Sequence, residues 1–145
     1  MTWWKKIFGD AEGAERVDYH EEGLALLRQE KFHEALTSFR LALKESTGDP
    51  VVLQHIAITY TRIGMTEEAA KTYRHVLGKH PEASGAHYGL AYILLRTGQD
   101  SEAVHHLQAF LQAPPSGGDA ARHVEHARET LARLTGNPGR EVADG

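Results

Sequence analysis

Ten histidines are the residues best suited to metal or proton chemistry in this chain, and their spacing forms no strong constellation. His123 and His126 stand at i, i+3 with Glu129 beyond, and His105-His106 follow Glu102. Either set offers two or three ligand atoms, short of the four that close a structural zinc site. The remaining candidates His33, His75, His80 and His87 do not line up with these. No metal is expected, and the imidazoles read as solvated groups that titrate near neutrality. The chain has no P-loop, G-x-S-x-G or H-E-x-x-H pattern. No catalytic residue and no cofactor are therefore expected. At the N-terminus Trp3, Trp4, Ile7 and Phe8 fall on one face of a short helix flanked by Lys5 and Lys6. That head suits a membrane interface, docking on a partner protein or on the chain's own surface in cis or across a dimer, or a plain cap on the first helix, because bare tryptophans seek cover.

Composition narrows the class. The 145 residues carry 16 Lys+Arg against 20 Asp+Glu, a net charge of −4. So mild an acidic balance argues against nucleic acid as partner, since a phosphate-binding face is basic. A hydrophobic share of 41% with 25% charged residues fits a folded chain, not a disordered one. With no cysteine, disulfides and thiol chemistry are excluded. No run approaches the 18 apolar residues of a membrane span, and the head lacks a long apolar core and cleavage site. A cytoplasmic location is expected, with peripheral contact to the inner face of a membrane open to the head.

The elements that position these residues follow from a repeat. Glu34-Ala35, Glu68-Ala69 and Glu102-Ala103 recur at a spacing of 34, and then 34 again. Small residues share that period at Gly23, Ala57 and Ala91, and large ones at Leu26, Tyr60 and Leu94. Downstream, Phe39, Tyr73 and Leu107 form one column, and Ala42, Val76 and Phe110 another. Gly64 and Gly98 share a position that Glu30 holds in the first unit, and Pro81 and Pro115 close the second and third. Within a unit, Tyr19, Gly23, Leu26, Phe32, Ala35, Phe39 and Ala42 keep helical spacing. Asp49-Pro50 reads as a cap followed by a first helical residue, Thr66 and Asp100 as caps, and Gly64 and Gly98 as left-handed stops. A last helix is expected from about Asp119 to Leu134, with Val124, Ala127, Leu131 and Leu134 inward.

This frame resembles the tetratricopeptide-repeat (TPR) family. The resemblance implies an all-α, right-handed solenoid of three helix-turn-helix repeats at 16–49, 50–83 and 84–117. A head at 1–15, a capping helix at 118–136 and a disordered tail at 137–145 complete the expected organisation. The departures are modest: Glu30 replaces glycine, Pro50 lies three residues late, and Tyr19, Leu53 and His87 stand where the family often has tryptophan.

The resemblance further implies a concave face built by the first helix of each repeat, which in the family binds extended peptides or helices. On this sequence the face carries Val17, His20, Leu24, Leu27 and Arg28, then Val51, Gln54, Ile58, Thr61 and Arg62, then Tyr88, Tyr92, Leu95 and Arg96. Its floor is apolar, and Arg28, Arg62 and Arg96 form a ladder at the same spacing of 34. An amphipathic, acidic protein segment is the expected partner, because guanidinium groups bind carboxylates bidentately. Chaperone-binding members clamp a terminal carboxylate with lysine and asparagine; the matching columns here hold His20, Leu24, His55, Gly85 and Gly89, so no such clamp is expected. The alternative function is a peripheral membrane assembly factor, anchored by the head and self-associating through its repeats as a homo-oligomer.

Paired small residues at each helix crossing give a test. Ala69→Leu overpacks the second crossing and is expected to cost roughly 1–3 kcal/mol, read from denaturant unfolding. An unchanged midpoint would mean that the crossing has room to spare.

Overall fold

The computed structural model describes residues 16–136. The head, with Trp3, Trp4, Ile7 and Phe8, and the tail at 137–145 lie outside the described residues. Among the described residues there are seven helices and no strand: α1 Tyr19–Arg28, α2 Phe32–Glu45, α3 Pro50–Ile63, α4 Thr66–Lys79, α5 Ser84–Arg96, α6 Asp100–Gln112 and α7 Ala120–Thr135. Each helix packs on its successor, and α1 meets α3 as α3 meets α5. The result is an all-α solenoid in which first helices line one side and second helices the other.

The pairs close at small residues. Ala35, Ala57, Ala69, Ala91 and Ala103 are fully buried. Gly23 faces the ring of Phe39 so closely that an added Cβ would lie 2.5 Å from its Cδ1 and Cε1. Three apolar clusters follow along the chain, centred on Phe39, on Tyr73 with Leu90, and on Leu107 with Phe110. Each mixes residues of neighbouring pairs, so no pair buries its own stripe alone.

The turns inside the pairs are identical in form. Gly64 (φ 97°) and Gly98 (φ 78°) are left-handed, and Met65 N and Gln99 N donate to Tyr60 O (2.9 Å) and Leu94 O (2.8 Å). This six-to-one bond satisfies a carbonyl at the helix end. The first pair makes the same turn with Glu30 (φ 62°), and Lys31 N donates to Leu26 O at 2.9 Å. The packing of α1 on α2 has imposed the turn on a residue that resists it.

Caps are uneven. Asp49 accepts from Val51 N and Val52 N with Pro50 at the first helical position, and Asp18 accepts from Glu21 N. Thr66 and Asp100 are not caps. The cap positions are Met65 and Gln99, neither with a side-chain cap bond. A turn of two or three residues puts the residue after the left-handed glycine directly at the helix boundary, so the expected cap lies one position inside.

A left-handed non-glycine residue costs about 1–2 kcal/mol. Glu30 gains only an exposed ion pair to Arg62 in return, 3.3 Å long and of little worth. Glu30→Gly is therefore expected to stabilise the fold by about 1 kcal/mol, raising Tm by about 2–4 °C. A lower Tm would show that Glu30's side-chain contacts outweigh its backbone strain.

Candidate functional site

Helices α3 and α5 enclose a cavity of about 160 Å³ on the first-helix side of the solenoid. Five of the expected groove residues converge on it: Ile58, Thr61, Arg62, Tyr92 and Arg96. Three others complete it that were not expected in the groove, Tyr73, Gly89 and Ile93. Ile58 stands 36% exposed above this space, a large aliphatic side chain left open to water.

Tyr73 reaches the cavity from the second helix, α4. Its phenol end lies where a side chain on Gly89 would be, and the residue is only 4% exposed. Burial pushes its hydroxyl up to about 12. The signal in the sequence was a tyrosine in a column otherwise held by Phe39 and Leu107, one helix away from a glycine.

The other expected groove residues are engaged elsewhere. Leu24 and Leu27 pack into the first apolar cluster, and Leu95 against the second. The amide of Gln54 lies over Gly85, where a Cβ would come within 2.6 Å of its Oε1. Tyr88 sits 4.9 Å from each of Tyr92, Phe110 and His123. Tyr92 donates to Thr130 Oγ1 at 3.0 Å and stacks on His126 at 5.0 Å, with the rings 15° apart. Both phenols are held above their ordinary range, chiefly by burial. The capping helix α7 thus claims much of the third repeat's share of the floor, as a further first helix would.

Two rungs of the arginine ladder, Arg62 and Arg96, are among the residues that line the cavity. Arg62 pairs with Glu30 and lies 5.0 Å over the Phe32 ring, a cation–π contact. Arg96 has no ion pair among the described residues. Arg28 is exposed at the end of α1, away from the cavity.

The histidines show an arrangement that the column argument missed. His20 Nε2 and His55 Nδ1 are 3.0 Å apart, joining α1 to α3, and Phe39 stacks on His55 at 5.8 Å. His87 Nδ1 and His106 Nδ1 are 2.9 Å apart, joining α5 to α6. Because His87 Nε2 must donate to Pro81 O (2.8 Å), its Nδ1 accepts from His106. His106 Nε2 is then bare, 3.7 Å from Glu102, which Arg74 already holds at 3.1 Å. Partners in the first pair sit one column apart on neighbouring first helices, so a search within columns overlooks them. Among the described residues no three His, Asp or Glu side chains gather as a metal site. No helix among them is long and apolar enough to cross a membrane.

This architecture is that of a helix-pair solenoid with a concave cavity between adjacent pairs. The tetratricopeptide repeat profile matches residues 56–118. The Sgt2 TPR domain from Aspergillus fumigatus superposes with a TM-score of 0.67 at 21% identity, covering 81% of this chain and 79% of that one. The first TPR of Spaghetti (RPAP3) bound to HSP90 peptide SRMEEVD gives 0.65 at 18%, covering 79% and 90%. A tetratricopeptide repeat protein from Parabacteroides merdae gives 0.68 at 26%, covering 87% and 49%. In sequence, the anaphase-promoting complex subunit CDC16 of Saccharomyces cerevisiae is 26% identical over 123 residues, 80% of this chain and 15% of that protein. The chain therefore spans a small part of that relative's length. Its fold is that of a tetratricopeptide-repeat solenoid, and the repeat profile falls on its second and third helix pairs.

The histidine pairs make stability depend on pH. Burial first, and then the facing imidazole, lower His55 and His106 below 6.5. A hydrogen bond to the Val51 backbone and then the Asp49 charge oppose this at His55, and Glu102 opposes it at His106, without reversing it. A depressed folded value means that the unfolded chain binds the proton first, so stability is full above about pH 6.5 and falls as acid is added. Tm is expected to drop between pH 7.5 and 5.5, and to drop less in the His55→Gln/His106→Gln double variant. An equal fall in both proteins would clear the pairs of any role.

Proposed function

We propose that the chain is a non-enzymatic interaction adaptor that holds an amphipathic, acidic segment of a partner protein across α1, α3 and α5. The observation that carries this reading is the open cavity beneath the exposed Ile58, walled by apolar side chains and rimmed by Arg62 and Arg96. An aliphatic anchor supplies affinity by leaving water, while the guanidinium groups bias the choice toward carboxylates. The similarity to a TPR domain solved bound to a peptide supports peptide binding by this fold. It does not carry over that peptide. Of the columns of the chaperone clamp, His20 and His55 are bonded to each other, and Gly85 and Gly89 lie beneath Gln54 and Tyr73.

The test is selection of nine-residue peptides from a random display library on the full chain. Selected peptides are expected to lose about tenfold or more in affinity for Ile58→Asp, as at a central anchor. Gln108→Asp, on the exposed side of α6, is expected to leave binding intact, and circular dichroism should match for all three proteins. Tyr92→Ala is the poorer probe, since it also removes the bond to Thr130. Equal binding by wild type and Ile58→Asp, or no selection at all, would sink the groove reading.

A further inference from the structure

We infer that the cavity between α3 and α5 is a subsite for one side-chain carboxylate, a glutamate within the partner segment, received by the hydroxyl of Tyr73 and the guanidinium groups of Arg62 and Arg96. The inference rests on the groove reading above and adds the chemistry of one position in the ligand.

The hydroxyl is the main argument. Among the described residues Tyr73 Oη makes no hydrogen bond, although the residue is 4% exposed and burial alone raises its hydroxyl. A buried polar group left without a partner is costly, so its persistence calls for an explanation. Packing does not supply one. Phe39 fills the same column one repeat earlier, fully buried and without a hydroxyl. Gly89 moreover leaves open the space that the phenol end occupies, since any Cβ there would overlap it. Two positions are thus arranged to keep a lone donor at the floor of a cavity.

The rim agrees in charge. No acidic side chain lines the cavity, whose wall is almost wholly apolar, and Arg62 and Arg96 are among its lining residues. Arg62 is bound only through exposed contacts that a ligand can replace, to Glu30 and over Phe32. The other hydroxyl at the wall, Thr61 Oγ1, already donates to Ala57 O at 2.9 Å and is not free to compete. A volume of about 160 Å³ lies well under the ~300–1,000 Å³ of small-molecule pockets, which suits one side chain of a longer ligand. The position is also internal, with α1 on one side and α7 on the other, so the ligand backbone continues past it both ways. That favours a side chain over a chain terminus.

Three display pools of nine-residue peptides, otherwise randomised, test this on the full chain. The first fixes Glu at the centre with an amidated end, the second fixes Gln there, and the third keeps a free terminal carboxylate with no acidic residue. The Glu pool is expected to bind at least about tenfold better than the other two. Tyr73→Phe and Arg96→Gln should each erase most of that preference, and Ile58→Asp should weaken every pool. Thermal unfolding adds an independent reading. Removing an unpartnered buried hydroxyl should raise the Tm of Tyr73→Phe by about 2–4 °C, the opposite of what loss of a structural bond would do. Equal binding of the Glu and Gln pools with dependence on Ile58 would leave the groove standing and overturn the carboxylate subsite. A Glu preference that survives Tyr73→Phe, a terminal pool that binds best, or a lowered Tm would overturn it as well. Failure of all pools, or indifference to Ile58, would bring down both readings.

Discussion

Every helix pair depends on a large side chain of the second helix lying where the first helix has almost none. Phe39 over Gly23 is the clearest case, with ring atoms in the place of the missing Cβ. Close approach of this kind brings dispersion contacts from both backbones and side chains, and it tolerates little change in volume. The small residues at 35, 57, 69, 91 and 103 keep the same spacing along the chain. From that spacing follow the turn geometry, the packing of each pair on the next and the line of first helices that forms the concave side. The constraint is strong enough to hold Glu30 in a left-handed conformation, where its own preference would be otherwise.

How much could be read beforehand follows from what is periodic. Packing residues repeat every 34 positions, so the helices and the family resemblance were visible without coordinates. Asp49 before Pro50 marked a boundary because its side chain has a local task. Thr66 and Asp100 misled by one residue because a tight turn leaves no place for a side-chain cap. The site was only half visible. Of the residues that line the candidate cavity, Ile58, Arg62 and Arg96 belong to the repeating face and could be named from it, but Tyr73 and Gly89 meet as a pair across two helices, and a pair of single departures has no period. The histidine contacts escaped for the same reason. His20 meets His55, and His87 meets His106, through packing between helices and not through spacing along one.

These departures also explain why one joint differs from the others. Between α1 and α3, His55 stacks on Phe39 and bonds to His20. At the far end α7 covers Tyr88 and Tyr92 with His123, His126 and Thr130. Among the described residues, only between α3 and α5 does the first helix of the following pair present glycine to the column of Phe39, Tyr73 and Leu107, Gly89 against Tyr73, and only there does the column carry a hydroxyl. A solenoid built by strict repetition would offer three equivalent grooves. In this one paired histidines meet between α1 and α3, α7 covers the last stretch, and the cavity between α3 and α5 holds the Tyr73 phenol. Recognition in a repeat protein need not lie in the repeat. Here it is argued from the place where two residues break it together, because a gap and an unsatisfied donor at one point are costs that packing alone gives no reason to keep.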